Sequence, residues 1–301
     1  MKVVLRAKNI SKKYNGHIAL KNMNFTLHEG EIHGLVGANG SGKSTFLKIL
    51  FTSPIIKDTG GYEGEIELYG EKVEFHSTKD ALDNGIGMVH QEFALLSELD
   101  IASNIKLQNE NVNEFTEKIL GEDFAYINIW KNQKDAKRLM NKMGVEIDPK
   151  EKAKALSMTL KQFVEIAREI DKKNLKVLLL DEPSAPLSNV DSNKLLKIIG
   201  RIASSGTAVI LISHRLEEIK EICDKVTVLR DGEVVAHYDK KDSINIKKIA
   251  LDMIGREVKQ VSRVTNIKES KEKKEIILSF KDVQVKKGPW KNQKANLDIY
   301  H

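Results

Sequence analysis

An α/β fold built on a mainly parallel central sheet is predicted by three features of this 301-residue chain. Val177–Leu180 and Ala208–Ser213 are apolar throughout, the pattern of strands covered on both faces. Such runs alternate along the chain with amphipathic stretches long enough for helices. The third feature is Gly37-Ala-Asn-Gly-Ser-Gly-Lys-Ser-Thr45, which fits the phosphate-loop pattern G-x-x-x-x-G-K-[ST]. A strand-like run, Glu31–Val36, enters it and a helix-like run, Thr45–Leu50, leaves it.

In chain order, Val3–Asn9 is the first strand expected from its β-branched content. The segments Val3–Leu27 and Glu63–Phe75 read as antiparallel and predict a separate edge sheet. Strands are then expected at Glu31–Val36, Gly85–His90, Val177–Leu180, Ala208–Ser213 and Lys225–Leu229. Helices are expected at Thr45–Leu50, Trp130–Met143, Leu160–Asp171, Val190–Ser205 and Leu216–Cys223, each amphipathic or well capped.

Composition sets the broad class. Apolar residues are 41% and charged residues 31%, as in a globular protein. No apolar run approaches the roughly twenty residues of a membrane span. Met1-Lys-Val-Val-Leu-Arg6 reads as too short and too charged for a signal peptide. A single cysteine, Cys223, excludes an internal disulfide and fits a reducing compartment. The net charge is +6, but residues 257–301 carry 11 Lys or Arg against 6 Asp or Glu, leaving about +1 for the rest. The basic excess is a tail property, so no nucleic-acid partner is expected.

Residues 257–273 lack periodicity and read as a charged linker. An internal repeat follows. Val3-Val-Leu-Arg-Ala-Lys-Asn-Ile10 lines up with Ile276-Ile-Leu-Ser-Phe-Lys-Asp-Val283, and Asn24-Phe-Thr-Leu27 with Asn296-Leu-Asp-Ile299. The domain expectation is a nucleotide-binding domain over 1–256 and the truncated start of a second copy over 274–301. The offset would put the second phosphate loop at about position 309.

The chemistry begins at the loop. Gly37, Gly40 and Gly42 let the backbone turn tightly and bring N–H groups against phosphate oxygens, with Asn39, Ser41 and Thr45 completing the cradle. Lys43 supplies a point charge, and the Ser44 hydroxyl is a magnesium ligand candidate. Val177-Leu-Leu-Leu-Asp-Glu-Pro183 delivers two carboxylates at the end of a buried strand. Asp181 is the candidate to hold Mg²⁺ through water, and Glu182 the candidate base for the attacking water. His214 closes the next apolar strand and is placed to donate to a γ-phosphate oxygen. Gln91 follows another strand and is a candidate for orienting the metal or the water.

Taken in this order, Gln91, Asp181-Glu182-Pro183 and His214 behind this loop resemble the ATP-binding cassette ATPases over residues 3–256. The resemblance implies a P-loop fold of that type with a helical subdomain, and ATP and Mg²⁺ as ligands. It implies that Tyr14 stacks on adenine. It also implies that Ser157, in Leu156-Ser-Met-Thr-Leu160, reaches the γ-phosphate held by a partner cassette. Met158, Thr159 and Leu160 stand where the family pattern has two glycines and a glutamine, and Pro186 departs from it on the following loop. Catalysis at the site this segment completes is expected to suffer, because larger side chains impede close backbone approach.

Gly87-Met-Val-His-Gln-Glu92, Ile212-Ser-His-Arg-Leu-Glu-Glu-Ile219 and Met253-Ile-Gly-Arg-Glu257 further resemble the tandem-cassette ATPases of bacterial simple-sugar importers. That likeness implies an energy-coupling ATPase at the cytoplasmic face of the membrane. Its partners would be a second cassette (its own C-terminal half or another copy), permease subunits and, indirectly, a periplasmic or surface solute-binding protein. Two alternatives stay open: a soluble tandem cassette acting on the ribosome or RNA or as a regulator, and a truncated cassette that binds ATP with little turnover.

Overall fold

The polypeptide opens on a hairpin, β1 (Val3–Tyr14) and β2 (His17–His28), whose strands meet at Asn15-Gly16. Both turn residues have positive φ, 46° and 86°, as a two-residue type I′ turn requires. Next come β3 (Ile32–Gly37), α1 (Lys43–Leu50), α2 (Pro54–Asp58), β4 (Glu63–Leu68), β5 (Glu71–Val73), α3 (Thr78–Asp83) and β6 (Ile86–Val89). The α-helices α4 (Ile101–Lys106), α5 (Glu114–Leu120), α6 (Ile129–Lys142) and α7 (Met158–Asp171) follow. The fold then returns to alternation with β7 (Val177–Asp181), α8 (Asn189–Ser204), β8 (Ala208–Ile212), α9 (Leu216–Ile222), β9 (Lys225–Arg230), β10 (Glu233–Tyr238) and α10 (Ile246–Ile254). The computed structural model describes residues 2–121, 124–172, 174–239, 244–255, 276–284 and 294–300.

The central sheet runs β10-β9-β3-β8-β7-β6, parallel from β9 to β6, with β10 antiparallel at one edge. Its inner strands are buried along their whole length. Alternate side chains enter opposite cores, as a period of two dictates. Leu178, Leu180, Val209 and Leu211 join the core that holds α7, α8 and α9, while Val177, Leu179, Ala208 and Ile210 join the one that holds α1. Burial on both faces explains the unbroken apolar runs.

The expected edge sheet is present as β2-β1-β4-β5, antiparallel throughout. It covers the second core with Val4, Leu5, Ile10, Met23 and Leu27. The expected helical subdomain is α4 to α7. Its interior includes Ile101, Ile105, Met140 and Phe163, and the buried Lys106 ammonium lies 2.9 Å from Asp171.

The chain divides into two compact units, residues 1–257 and 258–301. The proposed linker at 257–273 lies outside the described residues. In the second unit, β11 (Ile276–Gln284) pairs antiparallel with β12 (Lys294–Tyr300). The two hairpins share a register. Leu5, Arg6 and Ala7 face Leu27, Thr26 and Phe25, while Leu278, Ser279 and Phe280 face Ile299, Asp298 and Leu297. Even the irregularities coincide, one between Val3 and Leu5 matching Ile276 and Leu278, another between Ala7 and Ile10 matching Phe280 and Val283.

Candidate functional site

Gly37 ends β3, and the chain turns back through residues 38–42 into α1. Gly42 caps that helix at φ 105°, and a Cβ there would stand 2.4 Å from the Ala19 carbonyl oxygen on β2. No side chain fits between the two backbones, so glycine is obligatory. The Lys43 ammonium folds under the turn, donating to the carbonyls of Gly37 at 2.8 Å and Ala38 at 3.0 Å. Burial pulls its pKa down, and the charges of Glu182 and Asp181 oppose that shift. Ser41 Oγ is buried and makes no hydrogen bond among the described residues.

β7 delivers Asp181 to the same end of the sheet, nearly buried, where its Oδ1 accepts from the Ser44 hydroxyl at 3.3 Å. Burial raises its pKa and the Glu182 charge adds to this, while Ser44 and Lys43 oppose it. Glu182 sits at φ 53°, an unusual conformation for a non-glycine residue, and donates its N–H to the Ile212 carbonyl at 3.0 Å. That turn brings its Oε1 to 2.8 Å from His214 Nδ1, just beyond the end of β8. The His214 side chain is 57% exposed and that of Glu182 14%, so the pair faces open space from the histidine side.

These groups converge. Residues 39–45, Gln91, Glu182, Ala185 and His214 line one cavity of about 510 Å³. Asp181 stands behind it, reached through Ser44. Tyr14 is not among the lining residues; it packs half-buried against the second core with the Lys12 ammonium 4.8 Å from its ring centre. Ser157 is also elsewhere, capping α7 by accepting from the Leu160 N–H at 3.3 Å. At the same helix start, Thr159 Oγ1 donates to Asp191 on α8 at 3.4 Å, a contact that the family's glycine could not make. Sequence reasoning missed Ala185, whose small side chain gives no signal. It also missed Glu218, whose carboxylate falls on the buried face of α9 beside Ile219.

The donor set fits a nucleoside triphosphate: a buried hydroxyl without a partner among the described residues, a buried ammonium donating to two backbone carbonyls, and a turn at a helix N-terminus all favour anionic oxygens. Ser44 and Asp181 are hard oxygen donors facing one another, suited to Mg²⁺, which needs few protein ligands. Among the described residues no larger His, Cys, Asp or Glu cluster for a metal is found, and no helix is long and apolar enough to cross a membrane.

Comparison with known proteins agrees with this geometry. The family model described as ABC transporter matches residues 20–185. A galactose/methyl galactoside import ATP-binding protein of Haemophilus influenzae is 36% identical over 288 residues, covering 95% of this chain and 53% of that protein. A xylose import ATP-binding protein of Geobacillus kaustophilus is 36% identical, covering 86% of this chain and 48% of its own. The chain thus spans about half the length of the curated relatives it matches. Among solved structures, the ADP conformation of an ATP-binding cassette of an ABC transporter, MJ1267, superposes with a TM-score of 0.70 at 20% identity, covering 85% of this chain and all of that one.

Proposed function

Because this chain belongs to the ABC transporter family of ATP-binding cassettes, we propose that it is the ATP-binding and hydrolysing, energy-coupling part of a bacterial importer for simple sugars or related solutes. The observation that carries the reading is the convergence of the phosphate loop, Gln91, Glu182 and His214 on one cavity. In this reading residues 1–256 form a full cassette and 274–301 begin a second, which the shared hairpin register supports. Partners would be a second cassette, permease subunits and, indirectly, a solute-binding protein, with the chain peripheral at the cytoplasmic face.

ATP phosphates would accept hydrogen bonds from the backbone N–H groups of residues 40–45 and from Lys43, while Tyr14 would stack on the base. Ser44, Asp181 and Gln91 would hold Mg²⁺, which when bound neutralises phosphate charge. Glu182 would take the proton of the attacking water, and its contact with His214 holds both side chains at one edge of the cavity. His214 would donate to the phosphate oxygen on which charge develops. Ser157 would reach a phosphate held by the paired cassette.

A second reading, ATP binding with little turnover, draws on Met158, Thr159 and Leu160 at the start of α7. Titration calorimetry with Mg-ATP tests the common premise. Heat of association is expected for the 301-residue chain and is expected to vanish in Lys43→Ala, since that substitution removes the buried ammonium held beneath the turn. Absence of heat with the folded, unaltered chain sinks the reading.

A further inference from the structure

Glu218 on α9 is a buried carboxylate with no place in the chemistry above. It is only 7% exposed, yet four donors surround it. Its Oε2 accepts from Ser184 at 2.6 Å and from Ser213 at 2.9 Å. Its Oε1 accepts from Ser192 at 2.7 Å and from Arg215 Nη1 at 3.3 Å. Ser184 lies two residues after Glu182, in a turn closed by the Ala185 N–H on the Glu182 carbonyl at 3.1 Å. Ser213 lies one residue before His214, and its hydroxyl also accepts from the Arg215 N–H at 3.0 Å. Arg215 reaches across as well, donating to the Leu187 carbonyl at 3.2 Å.

One oxygen atom therefore joins the loop that presents Glu182 to the loop that presents His214. Packing alone does not require such an arrangement, because apolar side chains of similar volume commonly hold an interior at no loss of stability. A fully satisfied buried carboxylate instead fixes the relative position of every group that donates to it. We propose that Glu218 is a positioning residue for the hydrolysis reaction, setting the separation of Glu182 and His214 through Ser184 and Ser213. Movement of the 184–188 loop is then passed to His214 through this carboxylate, alongside the Arg215 bond to the Leu187 carbonyl. The inference rests on the proposed ATPase reading, but one arm of its test does not.

That arm reads backbone amide resonances in the full chain. Ser184→Ala is expected to shift the amides of Ser213, His214 and Arg215, and to lose that effect when Glu218→Ala is also present. An unchanged effect in the Glu218→Ala background, or none in the parent, overturns the proposal. The kinetic arm expects Glu218→Ala to lower kcat by at least about tenfold with KM for ATP within about twofold, and Glu218→Gln, which keeps the shape and one accepting oxygen for Ser184 and Ser213, to recover within about threefold of the parent. A Glu218→Ala turnover within about twofold of the parent, or a loss confined to KM, overturns it. Should Glu218→Ala not fold, Ser184→Ala and Ser213→Ala replace it. A double variant no slower than the slower single one supports coupling through the shared oxygen, and simple additivity overturns it. If the parent binds no Mg-ATP, the functional reading fails, and the amide arm still decides the positioning.

Discussion

Burial holds the Asp181 carboxyl above its ordinary range, with Glu182 adding to the shift and Ser44 and Lys43 opposing it. The consequence for stability has a definite sign. Between the ordinary pKa and the raised one, the folded chain keeps a proton that the unfolded chain has released, so stability falls as pH rises through that interval. Above it the full cost remains. Asp181→Asn removes the charge while leaving an oxygen to accept from Ser44. The variant without nucleotide should therefore unfold a few degrees higher than the parent at neutral pH, the gain shrinking toward the ordinary aspartate range. Its Mg²⁺-dependent gain in ATP affinity should be lost at the same time, the usual conflict between a site and its fold. A lower midpoint for the variant at neutral pH, by calorimetry, contradicts this. Glu182 presents a related tension in its backbone, since a φ of 53° is disfavoured for a side-chain-bearing residue and is held by the N–H bond to Ile212.

Among the elements, those whose sequences carry one dominant physical signal were legible in advance. The strands at 32–37, 86–89, 177–181, 208–212 and 225–230 lie within a residue or two of the expected runs, because burial on both faces makes their side chains predominantly apolar. Helices α6 to α9 were equally legible from period and caps; Ser188, for example, accepts from the Asp191 N–H and starts α8 one residue before the expected point. Short elements were not. α2, α3 and α4 have five or six residues each, too few for a period to register, and β10 alternates along an exposed edge. Asn15-Gly16 was a readable hairpin signal that would have separated β1 from β2. Its turn also isolates a purely conformational cost. Gly16 has φ 86°, and a Cβ there would meet nothing within 4 Å. Gly16→Ala should accordingly destabilise by about 1 kcal/mol, measured by urea unfolding. A neutral or stabilising effect would show that the hairpin tolerates another turn. In the site, residues with a sequence pattern were singled out in advance: 39–45, 182, 214 and 91 line the cavity and 181 stands behind it. Glu218 was not, because its partners lie on three separate segments that only the fold brings together.

On the scale of the whole molecule, service of a paired site turns on the start of α7. Ser157 caps α7 through the Leu160 N–H, Met158 is 53% exposed, and Thr159 ties the helix to Asp191 on α8. Two of the departures from the family's pattern, Met158 and Thr159, thus have a local effect. Met158 adds bulk where a phosphate would have to approach the helix, and the Thr159 bond joins the helical subdomain to the segment after Asp181-Glu182. Replacing Met158→Gly, Thr159→Gly and Leu160→Gln together removes the bulk and the bond. It should weaken the helix start by about 1 kcal/mol per introduced glycine at most, a cost readable as a lower unfolding midpoint. If two copies of the chain pair through this face, the same variant should hydrolyse ATP at least about tenfold faster than the parent at saturating nucleotide, because backbone N–H groups gain access to the γ-phosphate. Measuring turnover against protein concentration separates the possibilities. A rate per chain that rises with concentration only in the variant places the block at Met158–Leu160, whereas equal turnover in variant and parent places it elsewhere in the pair.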